Sequence, residues 1–151
     1  MGQAVACRVS RPLASLLLAA TLLLASACGG TSHTPTGTPV APTNGSLTIR
    51  ASEWKFEPAN VVLSKGAPVT IQFQNGGSTL HDMRIDGLHA SDVTSKSNGG
   101  LSAGHGELFV GSDKGKSGTL TFTPAETGTF TFYCTLPRHR QLGMKGTITV
   151  E

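Results

Sequence analysis

The sequence predicts an all-β domain over residues 46–151, folded as a Greek-key sandwich or barrel. Nineteen glycines and eight prolines among 151 residues make a turn-rich composition that argues against a helical bundle. Beyond residue 45 no window of a dozen residues has helical periodicity, whereas several short stretches alternate apolar and polar residues between turns. Because crossover helices are missing from this pattern, a sandwich or barrel is favoured over a parallel sheet.

The charge composition indicates a packed domain that does not bind nucleic acid. Only 14% of the residues are charged, against about 25% in an average soluble domain, while 38% are apolar. The formal net charge is +3. Two of the basic residues, Arg8 and Arg11, lie in a segment that we expect to be removed, which leaves ten basic against nine acidic side chains. So small an excess gives no basic surface for a nucleic acid.

Residues 1–27 have the pattern of a signal peptide. Arg8 and Arg11 precede an apolar run over residues 13–27 that ends in small residues before Cys28. This run is shorter than the roughly 20 residues that a membrane-spanning helix needs, and small residues suit a signal peptidase. We therefore predict an exported protein, and an uncleaved anchor helix is the alternative.

The end of the signal peptide, Leu24-Ala25-Ser26-Ala27-Cys28, resembles the lipobox of bacterial lipoproteins. Ala25 departs from the leucine that is more usual at its position. The resemblance implies that Cys28 becomes the lipidated first residue and anchors the chain at the periplasmic or extracellular face of a membrane. Plain secretory cleavage is the alternative.

Residues 28–45 predict a flexible linker between this anchor and the domain. In residues 29–45, 13 of 17 residues are Gly, Thr, Pro or Ser, and the apolar ones are Val40 and Ala41. A coil of this length spans on the order of 20 to 25 Å. We interpret His33 as a solvated linker residue.

Eight strands are predicted in the domain, with turn-forming residues between them. They cover residues 47–51, 60–63, 69–74, 80–85, 107–110, 118–123, 129–134 and 146–150. Residues 87–106 are rich in Gly and Ser, so we predict a surface loop there with at most one helical turn. We interpret Trp54 and Phe56 as core or edge packing.

Cys134 is predicted to point into the core at the end of a strand. Period-two alternation places Phe130, Phe132 and Cys134 on one face, and the two phenylalanines mark that face as the inner one. The remaining cysteines, Cys7 and Cys28, lie in the signal peptide and at its cleavage site. Cys134 therefore has no disulfide partner within the domain, and a buried, inert thiol is the simplest interpretation of it alone.

The spacing around Cys134 points to a metal. Four residues separate it from His139, and four more separate His139 from Met144, so a thiolate, an imidazole and a thioether leave one loop. Soft sulfur ligands with imidazole select copper, particularly Cu(I), and a thioether is a poor ligand for zinc. The sequence therefore predicts one copper ion at this loop.

A trigonal copper site needs a second imidazole from elsewhere in the fold. His81 is the best candidate, since it lies in a predicted strand just after the turn at residues 75–78. His89 and His105 lie in the Gly-rich segment and fit less well. Met83 shares the strand face of His81 and is expected to pack near the site without ligating.

The segments Tyr133-Cys134-Thr135-Leu136-Pro137-Arg138-His139 and Gly143-Met144-Lys145-Gly146 resemble the copper loop of the cupredoxins, the type 1 blue copper proteins. The two four-residue gaps resemble the auracyanin and rusticyanin branches more than plastocyanin or azurin. The paired-cysteine motif of binuclear copper sites is absent from the sequence. The resemblance implies metal ligation by His81, Cys134, His139 and Met144, the methionine being the weak axial ligand.

One residue departs from the cupredoxin pattern. The family usually has Asn directly after the first histidine, where the side chain ties the two ligand-bearing loops together, and this chain has Asp82. A carboxylate can accept hydrogen bonds from Thr135, although it has no amide hydrogens to donate. We expect the connection to be retained and the reduction potential to be lower than Asn would give.

The resemblance implies a function in electron transfer and no enzymatic activity. A monomeric carrier would cycle between Cu(I) and Cu(II) and dock transiently with redox partners, such as a cytochrome or a membrane oxidoreductase. His139 is the expected electron exit, and Arg138, Arg140 and Lys145 would face a more acidic partner. An extracytoplasmic copper carrier or storage protein is the alternative. A cysteine hydrolase would need Cys134 to be exposed, so its inward orientation argues against that class.

Overall fold

The computed structural model describes residues 37–102, 104 and 106–151, and these residues form ten strands in two five-stranded sheets. In chain order the strands are β1 (Ser46–Ser52), β2 (Lys55–Glu57), β3 (Asn60–Leu63), β4 (Val69–Asn75), β5 (His81–Asp86), β6 (Ala90–Lys96), β7 (Phe109–Ser112), β8 (Ser117–Pro124), β9 (Gly128–Tyr133) and β10 (Lys145–Val150). The first sheet has the order β2-β1-β4-β8-β6 and the second has the order β3-β10-β9-β5-β7. The prediction of an all-β sandwich is confirmed.

Two strand pairs are parallel, β1 with β4 and β3 with β10, and every other pair of neighbouring strands is antiparallel. Parallel neighbours need a crossover connection between them. Between β1 and β4 that connection includes β3, a strand of the opposite sheet. Each sheet is therefore mixed, and no helix is required.

The core fills the space between the sheets because side chains alternate along each strand. In β4 and β8 every second residue is buried. Phe132 and Cys134 face this core as predicted, while Phe130 is only partly buried against it. The largest fully buried side chains include Phe56, Phe73, Phe122, Phe132, Ile71, Leu120, Met83, Met144, Ile148 and His81.

All eight predicted strands are present, with ends displaced by up to two residues, but the prediction of a loop over residues 87–106 is wrong in part. This segment contains β6, which pairs with β8 at a sheet edge. The pairing shifts register between Ser91 and Thr94, where Asp92 has a φ of 55°. Most of the β6 side chains are exposed, so the strand has little apolar alternation to predict it.

The chain before β1 also makes contacts with the domain. Val40, in the predicted linker, donates a backbone hydrogen bond to Asn60 and accepts one from Val62. The predicted signal peptide, Cys28, His33 and His105 lie outside the described residues. Among the described residues, no helix is long and apolar enough to cross a membrane.

The ends of several strands meet at one edge of the sandwich. β9 lies between β10 and β5, so the end of β9 is next to the start of each neighbour. In the facing sheet, β1 and β4 end side by side, with Ala51 opposite Asn75. Of the residues that the sequence marks for metal binding, His81 begins β5, and Cys134, His139 and Met144 lie between β9 and β10.

Candidate metal centre

The loop between β9 and β10 closes on itself through backbone hydrogen bonds. The amide of Met144 donates to the carbonyl of His139 over 3.0 Å, and the amide of Cys134 donates to the carbonyl of Met144 over 3.1 Å. Within the loop, the amide of His139 donates to Leu136. Arg138 has a φ of 71°, which turns the chain just before His139. The three loop residues predicted as ligands are thus held together by the backbone.

The structure brings His81 to this loop. One ligand atom each from His81, Cys134 and His139 lies within 4.8 Å of the others. The sulfur of Cys134 is 3.2 Å from Nδ1 of His139, and the two imidazole centroids are 5.2 Å apart. Met144, at the end of the same loop, is fully buried, and its role as the axial ligand stays a prediction.

The chemistry of these side chains fits copper. His81 is fully buried, and neither of its ring nitrogens has a hydrogen-bond partner. A buried polar atom without a partner is costly, so a metal ion at Nδ1 or Nε2 would remove that cost. Burial lowers the pKa of His81 and raises the pKa of Cys134 to about 11. The metal-free site therefore holds a neutral imidazole that is ready to ligate and a thiol that must lose its proton first.

Asp82 joins the two ligand-bearing segments, as predicted. Its Oδ1 accepts a hydrogen bond from the backbone amide of Thr135, and its Oδ2 accepts one from the Thr135 hydroxyl, each over 2.6 Å. The Asp82 side chain is fully buried. Since Asp82 follows one ligand and Thr135 follows another, this bidentate contact fixes His81 relative to Cys134.

Asn75 holds the turn that precedes His81. Its Nδ2 donates to the carbonyls of Thr79 and Ser112, over 2.8 and 2.7 Å, and its Oδ1 accepts from the amide of Gly77. The side chain is buried, and these bonds use the whole amide group. The turn is therefore set by a polar network rather than by apolar packing.

Two residues at the site were not predicted from the sequence to lie there. Both are in the two-residue turn between β1 and β2. The Trp54 ring lies 4.5 Å from the His139 ring and 6.4 Å from the His81 ring, both edge-on. Oε1 of Glu53 lies 3.4 Å from Nε2 of His81. Trp54 is a packing residue, as interpreted from the sequence. The ring that it packs against is that of His139, a predicted copper ligand.

Of the two other histidines considered as ligands, only His89 lies in the described residues, and it is not at the site. His89 is on the surface, where its Nδ1 lies 2.9 Å from Glu126. Met83 is fully buried in the core, and its packing near the site stays a prediction.

The surface around His139 is apolar and basic. His139 is half-buried, whereas Cys134 and His81 are buried. Leu142 is 49% exposed and Trp54 is 38% exposed, which makes them two of the three large apolar side chains on the surface of the described residues. Arg140 is also exposed, and its guanidinium lies 4.0 Å from the centroid of the Tyr133 ring.

A ligand cluster of this kind at the end of a two-sheet sandwich defines a cupredoxin. The model of the copper-binding plastocyanin/azurin family matches residues 43–151, so the chain belongs to that family and its cofactor is copper. Over 158 aligned residues the chain is 27% identical to auracyanin-A of Chloroflexus aurantiacus, which covers 93% of this chain and 97% of that protein. It is 26% identical to the copper-resistant cuproprotein CopI of Rubrivivax gelatinosus over 126 residues, 78% of this chain and 74% of the relative.

The fold comparison agrees with the family. The crystal structure of dithionite-reduced auracyanin from Roseiflexus castenholzii superposes with a TM-score of 0.56 at 22% sequence identity. The match covers 73% of this chain and 99% of the other. The predicted cupredoxin fold, with its resemblance to the auracyanins, is confirmed.

Proposed function

We propose that the protein is an extracytoplasmic carrier of single electrons, cycling copper between Cu(I) and Cu(II) and exchanging electrons with partner proteins. The observation that supports this function most is the graded burial of the ligands. Cys134 and His81 are fully enclosed, and His139 alone of these three reaches the surface. The edge of the His139 ring would connect an ion held by these residues to the surface, where a partner could exchange an electron with it.

The chain's own residues supply a rigid and dry environment. When bound, copper supplies the one-electron couple. Asp82 holds the two ligand segments together and Asn75 holds the turn before His81. Phe132 and Cys134 belong to the same buried core, which excludes water. A geometry fixed by such contacts changes little between oxidation states, which favours fast transfer.

The first experiment separates an electron carrier from a copper carrier or storage protein. The Cu(II)-loaded protein should show an intense thiolate-to-copper absorption near about 600 nm. It should also lose copper slowly to a competing chelator and exchange electrons rapidly with a small redox reagent. Rapid metal loss together with slow electron exchange would favour the carrier or storage function instead.

We propose that the apolar and basic surface around His139 docks a more acidic redox partner. Arg138 and Arg140 flank His139 in the chain, and both are exposed. Electrostatic attraction of this kind mainly raises the association rate and weakens as salt rises. Replacing both arginines with glutamine should slow electron transfer to an acidic cytochrome and flatten its salt dependence. Lys65→Gln is the matched control, because Lys65 lies at the other end of the sandwich, next to the last residue of the domain.

We also propose that Cys28 carries a lipid after export. Mass spectrometry of the mature N-terminus measures the modification directly. The wild-type chain should fractionate with membranes and Cys28→Ser should not. An unmodified mature protein in the soluble fraction would indicate plain secretion.

A further inference from the structure

Glu53 lies within reach of His81, a fully buried residue of the predicted copper site. Its Oε1 is 3.4 Å from Nε2 of His81, on the side of the ring away from Nδ1. This separation is within ion-pair range, although the alignment does not make a hydrogen bond, and both His81 nitrogens remain without one. No other acidic side chain of the described residues has an oxygen within 4.0 Å of a nitrogen of this ring.

The Glu53 carboxylate is held in place from the other side. Its Oε1 accepts a hydrogen bond from the amide of Ser78 over 2.6 Å and another from the Ser78 hydroxyl over 2.9 Å. A glutamate side chain is ionised at neutral pH, so these two hydrogen bonds hold a negative charge in a fixed position facing His81.

Gly77 keeps the space between the two side chains open. A Cβ at residue 77 would lie 2.6 Å from Nε2 of His81 and 2.8 Å from Oε1 of Glu53. Real Cβ atoms do not approach other atoms so closely, so any larger residue here would push the ring and the carboxylate apart. The absence of a side chain at residue 77 therefore leaves room for the Glu53–His81 contact.

We propose that Glu53 is a positioning residue of the copper site, accepting a hydrogen bond from Nε2 of His81 so that Nδ1 faces the metal. A metal-ligating histidine commonly donates its second ring N–H to a carboxylate or carbonyl, which fixes the tautomer and makes the ligand more basic. The fixed charge of Glu53 also favours Cu(II) over Cu(I). The proposal concerns the copper site alone and holds whether the protein carries electrons or copper.

The first test measures the tautomer of His81 in the metal-free protein by long-range proton–nitrogen NMR. The wild type should show one tautomer with the proton on Nε2. Glu53→Gln retains a carbonyl acceptor and should keep this tautomer, whereas Glu53→Ala should give a mixture. Ser78→Ala is the structural control, because it removes one contact of the carboxylate without touching the ring. Ser78→Ala leaves the shorter amide contact of Glu53 in place and should change the tautomer less than Glu53→Ala does. If Glu53→Ala leaves the tautomer unchanged, Glu53 does not position the ring and the proposal is wrong.

The second test measures affinity for Cu(II) and Cu(I) separately, by chelator competition. Glu53→Ala should weaken Cu(II) binding by about tenfold or more and Cu(I) binding by less, since loss of such a partner typically costs 10- to 100-fold. A tenfold change in the ratio raises the potential by about 59 mV in a one-electron couple. Glu57→Gln, an exposed carboxylate on β2, is the matched charge control and should change neither affinity by more than about twofold.

Gly77→Ala provides a variant that keeps the carboxylate but separates it from the ring. It should reproduce the mixed tautomer and the weaker Cu(II) affinity of Glu53→Ala. A thermal unfolding curve identifies any variant that does not fold, and the Glu53 variants then decide the matter alone. A Cu(II)-to-Cu(I) affinity ratio in Glu53→Ala within twofold of that in Glu57→Gln would overturn the proposal.

Discussion

The buried aspartate next to the first copper ligand should set the reduction potential. Asp82→Asn removes one negative charge and keeps the shape of the side chain. The amide oxygen can still accept the hydrogen bond from the Thr135 backbone, and the Thr135 hydroxyl can turn to accept from the new NH₂ group. Both contacts therefore survive the substitution, and the loss of charge is the main change.

The size of the effect follows from Coulomb's law. Asp82 is fully buried and bonded to the residue after Cys134, and we take about 8 Å as the distance over which its charge acts on the metal. At an effective dielectric constant of about 20, one unit charge at that distance is worth about 2 kcal/mol. In a one-electron couple this corresponds to about 90 mV. Because the lost charge stabilised Cu(II), the potential of Asp82→Asn should rise.

A spectroelectrochemical titration of the thiolate-to-copper absorption measures the midpoint potential. Asp86→Asn is the matched control, since Asp86 is exposed and lies four residues, about 13 Å, further along β5. Its effect should be on the order of 10 mV because water and salt screen it. An unchanged or lower potential for Asp82→Asn would refute the reasoning, as would a rise no larger than in the control.

Three further predictions concern other parts of the site and fold. In Gly146→Ala the new methyl would collide with the Phe132 ring and adjacent backbone, so the free energy of unfolding should fall by about 2 to 3 kcal/mol in urea titrations, whereas Gly100→Ala, in open space, should change it little. The raised pKa of Cys134, about 11, means that copper uptake releases a proton. Apparent copper affinity should therefore rise about tenfold per unit between pH 8 and pH 10, and a flat chelator titration would contradict this. Met144→Leu should raise the potential by on the order of 50 mV, since Cu(II) gains more than Cu(I) from an axial ligand, and no change would mean that the thioether does not ligate.

The sequence contains the information for most of the fold because the strands that build the core alternate clearly. The period-two alternation predicts that Phe132 and Cys134 point into the core. The spacing within one loop predicts Cys134, His139 and Met144 as metal ligands. The edge strand β6 could not be predicted from alternation. Its side chains face solvent along most of its length, and a bulge breaks its alternation.

The contacts of Glu53 and Trp54 could not be predicted by the same means. Both are separated by many residues from the ligands that they approach, and both lie in a turn, where no periodicity sets the direction of a side chain. His81, in contrast, follows a turn and begins a strand, so its position near the loop could be argued. Proximity between a turn residue and a distant ligand emerges only when the two sheets are packed together.

The turn between β1 and β2 contains both residues that make these contacts, and the contacts limit the length of the turn. Surface turns usually tolerate insertions, because lengthening a loop costs little conformational entropy. Here the pairing of Ser52 with Lys55 leaves only Glu53 and Trp54 between the strands, and each of them approaches a different imidazole. One extra residue would change the direction of both side chains at once, so this hairpin tip should be intolerant of insertions.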